Sequence, residues 1–183
     1  MQVNLAKTAG FCFGVDRAVN LVYDLLAKGK KVCTLGPIIH NQQLVDDLIS
    51  KGVKIIDDVD SDKAKRALLD GNIVIFGGGT GKPFFSTDTG AALRAKDIGA
   101  DIIIKLTNVD GVYDKDPNKY SDAVMYHTVS YKEVIDKNLG VMDMEAIEIC
   151  RDNNIKIVVT NIDNVNALDD IIEDKNIGTV VYK

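Results

Sequence analysis

Apolar positions recur along this chain with two alternating rhythms. Val15, Ala18, Val19, Val22, Leu25 and Leu26 follow helical spacing, and Gly29 closes the pattern. Leu44, Val45, Leu48 and Ile49 repeat it on a short helix that ends at Gly52. Between and around these lie compact apolar runs of strand length: VNLAK (3–7), KVCTLGPII (31–39, breaking at Gly36-Pro37), VKII (53–56), NIVIF (72–76) and DIIIKL (101–106). Further along, a helix is expected from Thr87-Asp88 to Gly99, helices near 130–137 and 143–152, strand KIVVT (156–160), a helix carrying Leu168, Ile171 and Ile172, and strand GTVVYK (178–183). Strands alternating with helices, several with unbroken apolar runs, predict an α/β fold. The expected architecture is Rossmann-like, a three-layer α/β/α sandwich with a mostly parallel central sheet.

Polar stretches divide the pattern. Residues 57–66, DDVDSDKAKR, form the most polar stretch and lead into a short helix; they mark a candidate boundary between 1–60 and 61–183 within one continuous domain. The architecture requires the first segment to pair directly with NIVIF. Residues 107–122 read as a long polar loop, with turn signals at Asp110-Gly111 and Asp116-Pro117.

The remaining composition narrows the functional classes. With 183 residues, 46% of them hydrophobic and 27% charged, the chain has the make-up of an ordinary globular protein with enough length for a sizeable core. A net charge of −5 argues against nucleic acid or an anionic membrane as partner, and no apolar run is long enough for a membrane span or shaped as a secretion signal. Three scattered cysteines, Cys12, Cys33 and Cys150, suit a reducing, cytoplasmic setting and make neither a disulfide framework nor a zinc motif. Cys33, beside Val32 and Leu35, and Cys150, on a helix face with Met142, Ala146 and Ile149, read as core thiols.

Two constellations carry chemistry. In GFCFGVDRAV (10–19), Cys12 lies between a strand and a helix start, where backbone amides attract anions and lower a thiol pKa; the competing reading is a small apolar residue in a tight turn. AKTAGFCFGVDRAV, LGPIIHN (35–41) and VDDLISKGVKI (45–55) together resemble the start of hydroxymethylbutenyl diphosphate reductase. That resemblance implies a vestigial iron–sulfur cluster ligand at Cys12 and a vestigial diphosphate-binding residue at His40. The family's two other cluster cysteines fall in later domains with no counterpart in the chain, so no [4Fe-4S] cluster is expected.

The second constellation is GGGTGKPFFSTDTGAALRA (77–95), a glycine loop running into a helix capped by Ser86, Thr87 or Asp88. Small residues let a phosphate approach the backbone, while a turn without ligand remains the alternative. From about Ala64 to Lys183 the chain resembles bacterial uridylate kinases of the amino-acid-kinase fold, through GTGKPFFSTDTGAALRA (79–95), LTNVDGVYDKDP (106–117), VMDMEAIEICRDNNIKIVV (141–159) and IGTVV (177–181). The resemblance implies that residues from Thr80 to Thr87, with Gly79 and Gly81, contact the UMP phosphate and sugar. It implies that Asp88 organises phosphate-binding lysines, and that Thr107, Tyr113 and Asp116 hold ATP. Lys82 departs from the family's asparagine, and residues 161–170 lack its lysine and Pro-Gly. The kinases' first-strand lysine and glycine triplet belong to a half that this reading finds missing, Lys7 being the loose counterpart of the lysine.

Two resemblances meeting near residue 60 give the expectation of a recombined, engineered α/β chimera. It would have no confident catalytic residue (Asp88 and Lys7 being vestiges), no required cofactor, and at most weak nucleotide or phosphate binding, as a monomer or homodimer. The alternative is a uridylate-kinase-like phosphotransferase or a binder of UMP and ATP/Mg. A third expectation is a homotrimer pooling three copies of Cys12 around one cluster.

Overall fold

Helix α1 (Phe13–Ala27) takes up the apolar stripe of the first segment and buries Val19 and Val22, while the polar positions between them stay in solvent. The computed structural model describes residues 13–39, 41–56, 60–77, 85–164, 166–173, 175 and 177–183; the strand expected at 3–7 lies outside them. The chain forms two compact units, Met1–Gly81 and Lys82–Lys183.

In the first unit α1 is followed by β1 (Val32–Leu35), α2 (Gln42–Ser50), β2 (Lys54–Ile56), α3 (Ser61–Leu69) and β3 (Ile73–Phe76). The strands are parallel in the order β2-β1-β3, with Cys33 opposite both Lys54 and Val74. NIVIF therefore pairs directly with the first segment, as the pattern required. Val22, Val32, Leu48 and Val53 make the core, each at most 3% exposed. Burial of each such side chain contributes about 1.5–3 kcal/mol. Polar side chains fix the helix starts: Asn41 accepts from the Leu44 N–H (3.1 Å) and Asp60 from the Asp62 N–H (2.9 Å). The Tyr23 hydroxyl donates to Asp47 (2.6 Å), tying α1 to α2.

The second unit contains α4 (Thr87–Ile98), β4 (Ile102–Thr107), β5 (Val112–Tyr113), β6 (Met125–Tyr126), β7 (Thr128–Ser130), α5 (Tyr131–Asp136), α6 (Met144–Asp152), β8 (Lys156–Asn161), α7 (Ala167–Ile172) and β9 (Thr179–Tyr182). Its main sheet runs β4-β8-β9-β7, with β8 parallel to β4 and β9 parallel to β7 but antiparallel to β8. The α/β class with mostly parallel sheets is as expected.

Three features differ from the sequence reading. The stretch 107–122 is not all loop: β5 lies within it and pairs antiparallel with β6. Strand β7 stands where no strand was expected, too short for its alternation to register. Strand β4, read as covered on both faces, leaves Ile102 and Leu106 exposed.

Small residues on α4 (Thr89, Ala92, Ala95) form a three-residue stripe that is buried, and α4 packs against α6, whose Ala146, Ile147 and Cys150 are buried as well. Tyr131, 1% exposed, fills the core beside Cys150 and donates its hydroxyl to the Ile155 carbonyl. Burial pushes the Tyr131 phenol pKa well upward, and it pushes the Cys150 thiol up to about 11. Cys33 and Cys150 are free, buried core thiols, as their neighbours in sequence implied.

Two glycines are required by geometry. Gly178 has φ +67°, and a Cβ there would lie 2.1 Å from the Val159 carbonyl oxygen. At Gly111 a Cβ would lie 2.5 Å from Thr179 Oγ1. That hydroxyl accepts from the Val112 N–H (2.8 Å) and donates to the Tyr126 carbonyl, so Thr179 pins the β5–β6 hairpin to the main sheet.

Candidate active site

All the site residues that can be placed lie in the second unit, around the start of α4 and the carboxyl ends of β4 and β8, where open α/β sheets bind ligands. Ser86 caps α4, its hydroxyl accepting from the Thr89 N–H (3.0 Å). Thr87 then begins the helix exposed, and Asp88 sits half-buried in the first turn. Asp88 accepts from Lys105 Nζ of β4 at 2.7 Å.

Asp143 fastens this helix start to a second one. Its carboxylate caps α6 by accepting from the Ala146 N–H (3.0 Å), and it also accepts from the hydroxyls of Thr89 (2.9 Å) and Ser86. Burial works to raise its pKa, but the donors of Ser86, Ala146 and Thr89 prevail and hold the carboxyl below the usual range. An ionised Asp143 thereby joins the N-termini of α4 and α6.

Thr107 ends β4 opposite Asn161, which ends β8. The Thr107 carbonyl accepts from the Ile162 N–H (2.8 Å), and the Asn161 amide donates to Asp110 (3.1 Å). Beyond it, a cavity of about 320 Å³ is lined by Tyr113, Lys115, Asp116, Lys137, Asn138 and Gly140, among others. The Asn118 backbone N–H (3.0 Å), helped by Lys119 (3.2 Å), keeps the Asp116 carboxyl below its ordinary pKa. Lys137 is held by Glu133 (2.5 Å) and Lys115 by Asp122 (2.6 Å).

The structure thus places Tyr113 and Asp116 on one cavity, and Thr107 on the adjoining strand end. Thr87 and Asp88 share one helix start. Lys7, Cys12, His40, Gly79, Thr80, Gly81 and Lys82 lie outside the described residues. Among the described residues no group of three or more His, Cys, Asp or Glu side chains is placed to hold a metal ion. No helix there is long and apolar enough to cross a membrane.

Sequence reasoning missed Lys105 and Asp143. A lone charge in the apolar run IIIKL was the available signal for the first, since such a lysine needs a counter-charge. For the second it was an aspartate directly before the helical pattern MEAIEIC.

Fold and site together define an α/β protein whose polar groups gather at the carboxyl ends of parallel strands, the arrangement of a nucleotide- or phosphate-handling enzyme. The family model described as "Amino acid kinase family" matches residues 16–161, and the chain belongs to that family. Over 144 residues it is 46% identical to the uridylate kinase of Ruthia magnifica subsp. Calyptogena magnifica, a match spanning 76% of this chain and 60% of that protein. The UMP kinase of Bacillus anthracis superposes with a TM-score of 0.76 at 30% identity, over 92% of this chain and 65% of that one. The UMP kinase of Ureaplasma parvum does so with a TM-score of 0.74 at 32% identity, over 92% and 67%. The chain spans about three fifths of the length of the curated relatives it matches.

These matches correct one expectation. The family model begins at residue 16, inside the segment read as reductase-like, and continues past residue 60 without a break. With relatives 44–46% identical over three quarters of the chain, the reading of an engineered chimera without an intact natural activity is overturned.

Proposed function

We propose that the chain acts as a uridylate-kinase-like phosphotransferase that moves the γ-phosphoryl group of MgATP to UMP. The observation that carries this reading is the 46% identity to a uridylate kinase across a segment that includes the Asp88 helix start and the Asp116 loop. Magnesium enters with ATP as part of the substrate.

In this reading Thr107, Tyr113 and Asp116 hold ATP, while Gly79, Thr80, Gly81 and Thr87 contact the phosphate and sugar of UMP. A phosphate oxygen of UMP attacks the γ-phosphorus. The bond from that phosphorus to the β–γ bridging oxygen breaks, and its electron pair leaves with ADP. The acceptor is already a phosphate anion, so no proton has to move; catalysis consists of alignment and neutralisation of charge. The hydrogen bonds that fix α4, α6 and the Asp116 loop supply alignment before substrate arrives. The reading takes the chain as a cytoplasmic monomer or homodimer whose partners are free nucleotides, with neither nucleic acid nor membrane involved.

A coupled assay for ADP release from MgATP, with and without UMP, tests it, alongside thermal melts with each nucleotide. UMP-dependent ADP release is the expected result. Neither release nor a rise in melting temperature at millimolar nucleotide would leave the reading without support.

A further inference from the structure

The phosphotransferase reading brings two phosphate-bearing anions together, and the transferred group needs a cation beside it. Four lysines stand on the elements of the candidate site. Lys115, Lys119 and Lys137 are paired with Asp122, Asp116 and Glu133 in the 109–122 loop and on α5 and its end. Of the four, Lys105 alone projects from a strand, and β4 is paired to β8 from Ile102 through Thr107, which holds its backbone in place. We propose that Lys105 is the phosphate-neutralising cation of this site, held by Asp88 until the transferred phosphoryl group takes up its ammonium.

The placement follows from strand geometry. Side chains two residues apart share a face, so Lys105 and Thr107 lie on one side of β4, about 7 Å apart along the strand. The partner of Lys105, Asp88, adjoins Thr87 in the first turn of α4. Lys105 therefore stands between the residues proposed to hold UMP and the strand end proposed to hold ATP. The exchange of partners costs little. The two side chains are 27% and 30% exposed, and pairs so open to solvent contribute about 0–1 kcal/mol. Phosphoryl oxygens can replace the carboxylate without a large loss of stability. During transfer the Lys105 ammonium donates hydrogen bonds to the equatorial oxygens of the γ-phosphoryl group and keeps its protons, while the bond to ADP breaks and the bond to UMP forms. A lysine in an otherwise apolar strand is thereby explained by chemistry as well as by its ion pair.

The inference rests on the phosphotransferase reading, and the test separates the two. Wild-type chain, Lys105→Met and Lys105→Arg are compared for kcat, for KM toward UMP and MgATP, and for melting temperature. Loss of one donor that acts mainly in the transition state predicts that Lys105→Met lowers kcat by about a hundredfold or more, with much smaller changes in either KM. The melting temperature should stay close to wild type, and Lys105→Arg should recover part of the rate. A structural brace between β4 and α4 predicts the reverse, a lowered melting temperature with undiminished kcat in the folded fraction, and that result overturns the inference alone. An inactive wild-type chain would remove the phosphotransferase reading and this inference with it.

Discussion

Replacing Asp143 by alanine should loosen the second unit measurably, and the size of the effect can be worked out bond by bond. The substitution removes the cap on the Ala146 N–H, for which helix-capping series give about 1 kcal/mol. It also strips the acceptor from the Thr89 hydroxyl, whose residue is 1% exposed, and a buried donor left without its acceptor costs about 1–3 kcal/mol. The sum is about 2–4 kcal/mol, or a fall in melting temperature on the order of 5–15 °C for a chain of this size. Asp143→Asn keeps an acceptor oxygen and should cost less. Because the chain has two units, the probe has to report on the second one alone. Cys150, fully buried there, provides it: pulsed thiol labelling across a urea gradient, read at the Cys150 peptide by mass spectrometry, follows the opening of that unit. Identical labelling midpoints for wild type, Asp143→Ala and Asp143→Asn would refute the view that this carboxylate couples the two helix starts.

Further outcomes follow from the same packing. The Asp143 carboxyl is held below its unfolded value near 3.9, so its contribution to stability is complete above about pH 4 and is lost as pH falls through the folded pKa; acid melts of Asp143→Asn should be less steep in that window than those of wild type. Tyr131→Phe leaves the Ile155 carbonyl without its donor and should cost about 1–3 kcal/mol in urea unfolding. Gly178→Ala places a methyl group against the Val159 carbonyl at a positive φ, and should lower the yield of folded chain more than Asp143→Ala or Tyr131→Phe does. Asp116→Ala should diminish the melting-temperature rise given by MgATP while sparing that given by UMP, since the two ligands are assigned to different loops.

Much of the fold was legible because its signals are local. Helical spacing from Val15 to Leu26 and the turn glycines predicted α1 and its end, and the apolar runs at 32–35, 73–76 and 156–161 became parallel strands. Strands β5, β6 and β7 were not legible, because two or three residues are too few for alternation to stand out, and their pairing is enforced at a distance by Thr179. The site was read through its motifs at Asp88, Tyr113 and Asp116. Lys105 and Asp143 escaped because their meaning lies in partners 17 and 54–57 residues away, which spacing along the chain does not reveal. The largest error came from giving one local likeness in residues 1–60 the same weight as a likeness that extends over most of the chain.

The order β4-β8-β9-β7 has a consequence for biosynthesis. Strand β7 is made early, yet its neighbour β9 is translated some fifty residues later and has to enter between β7 and β8. As the polypeptide emerges from the ribosome, the unit therefore carries an open slot in its sheet until residues 179–182 arrive. Pairings this distant along the chain form slowly, and in the interval the apolar faces of Val129 and Ile157, both destined for the interior, are exposed to chaperones or to association with other nascent chains.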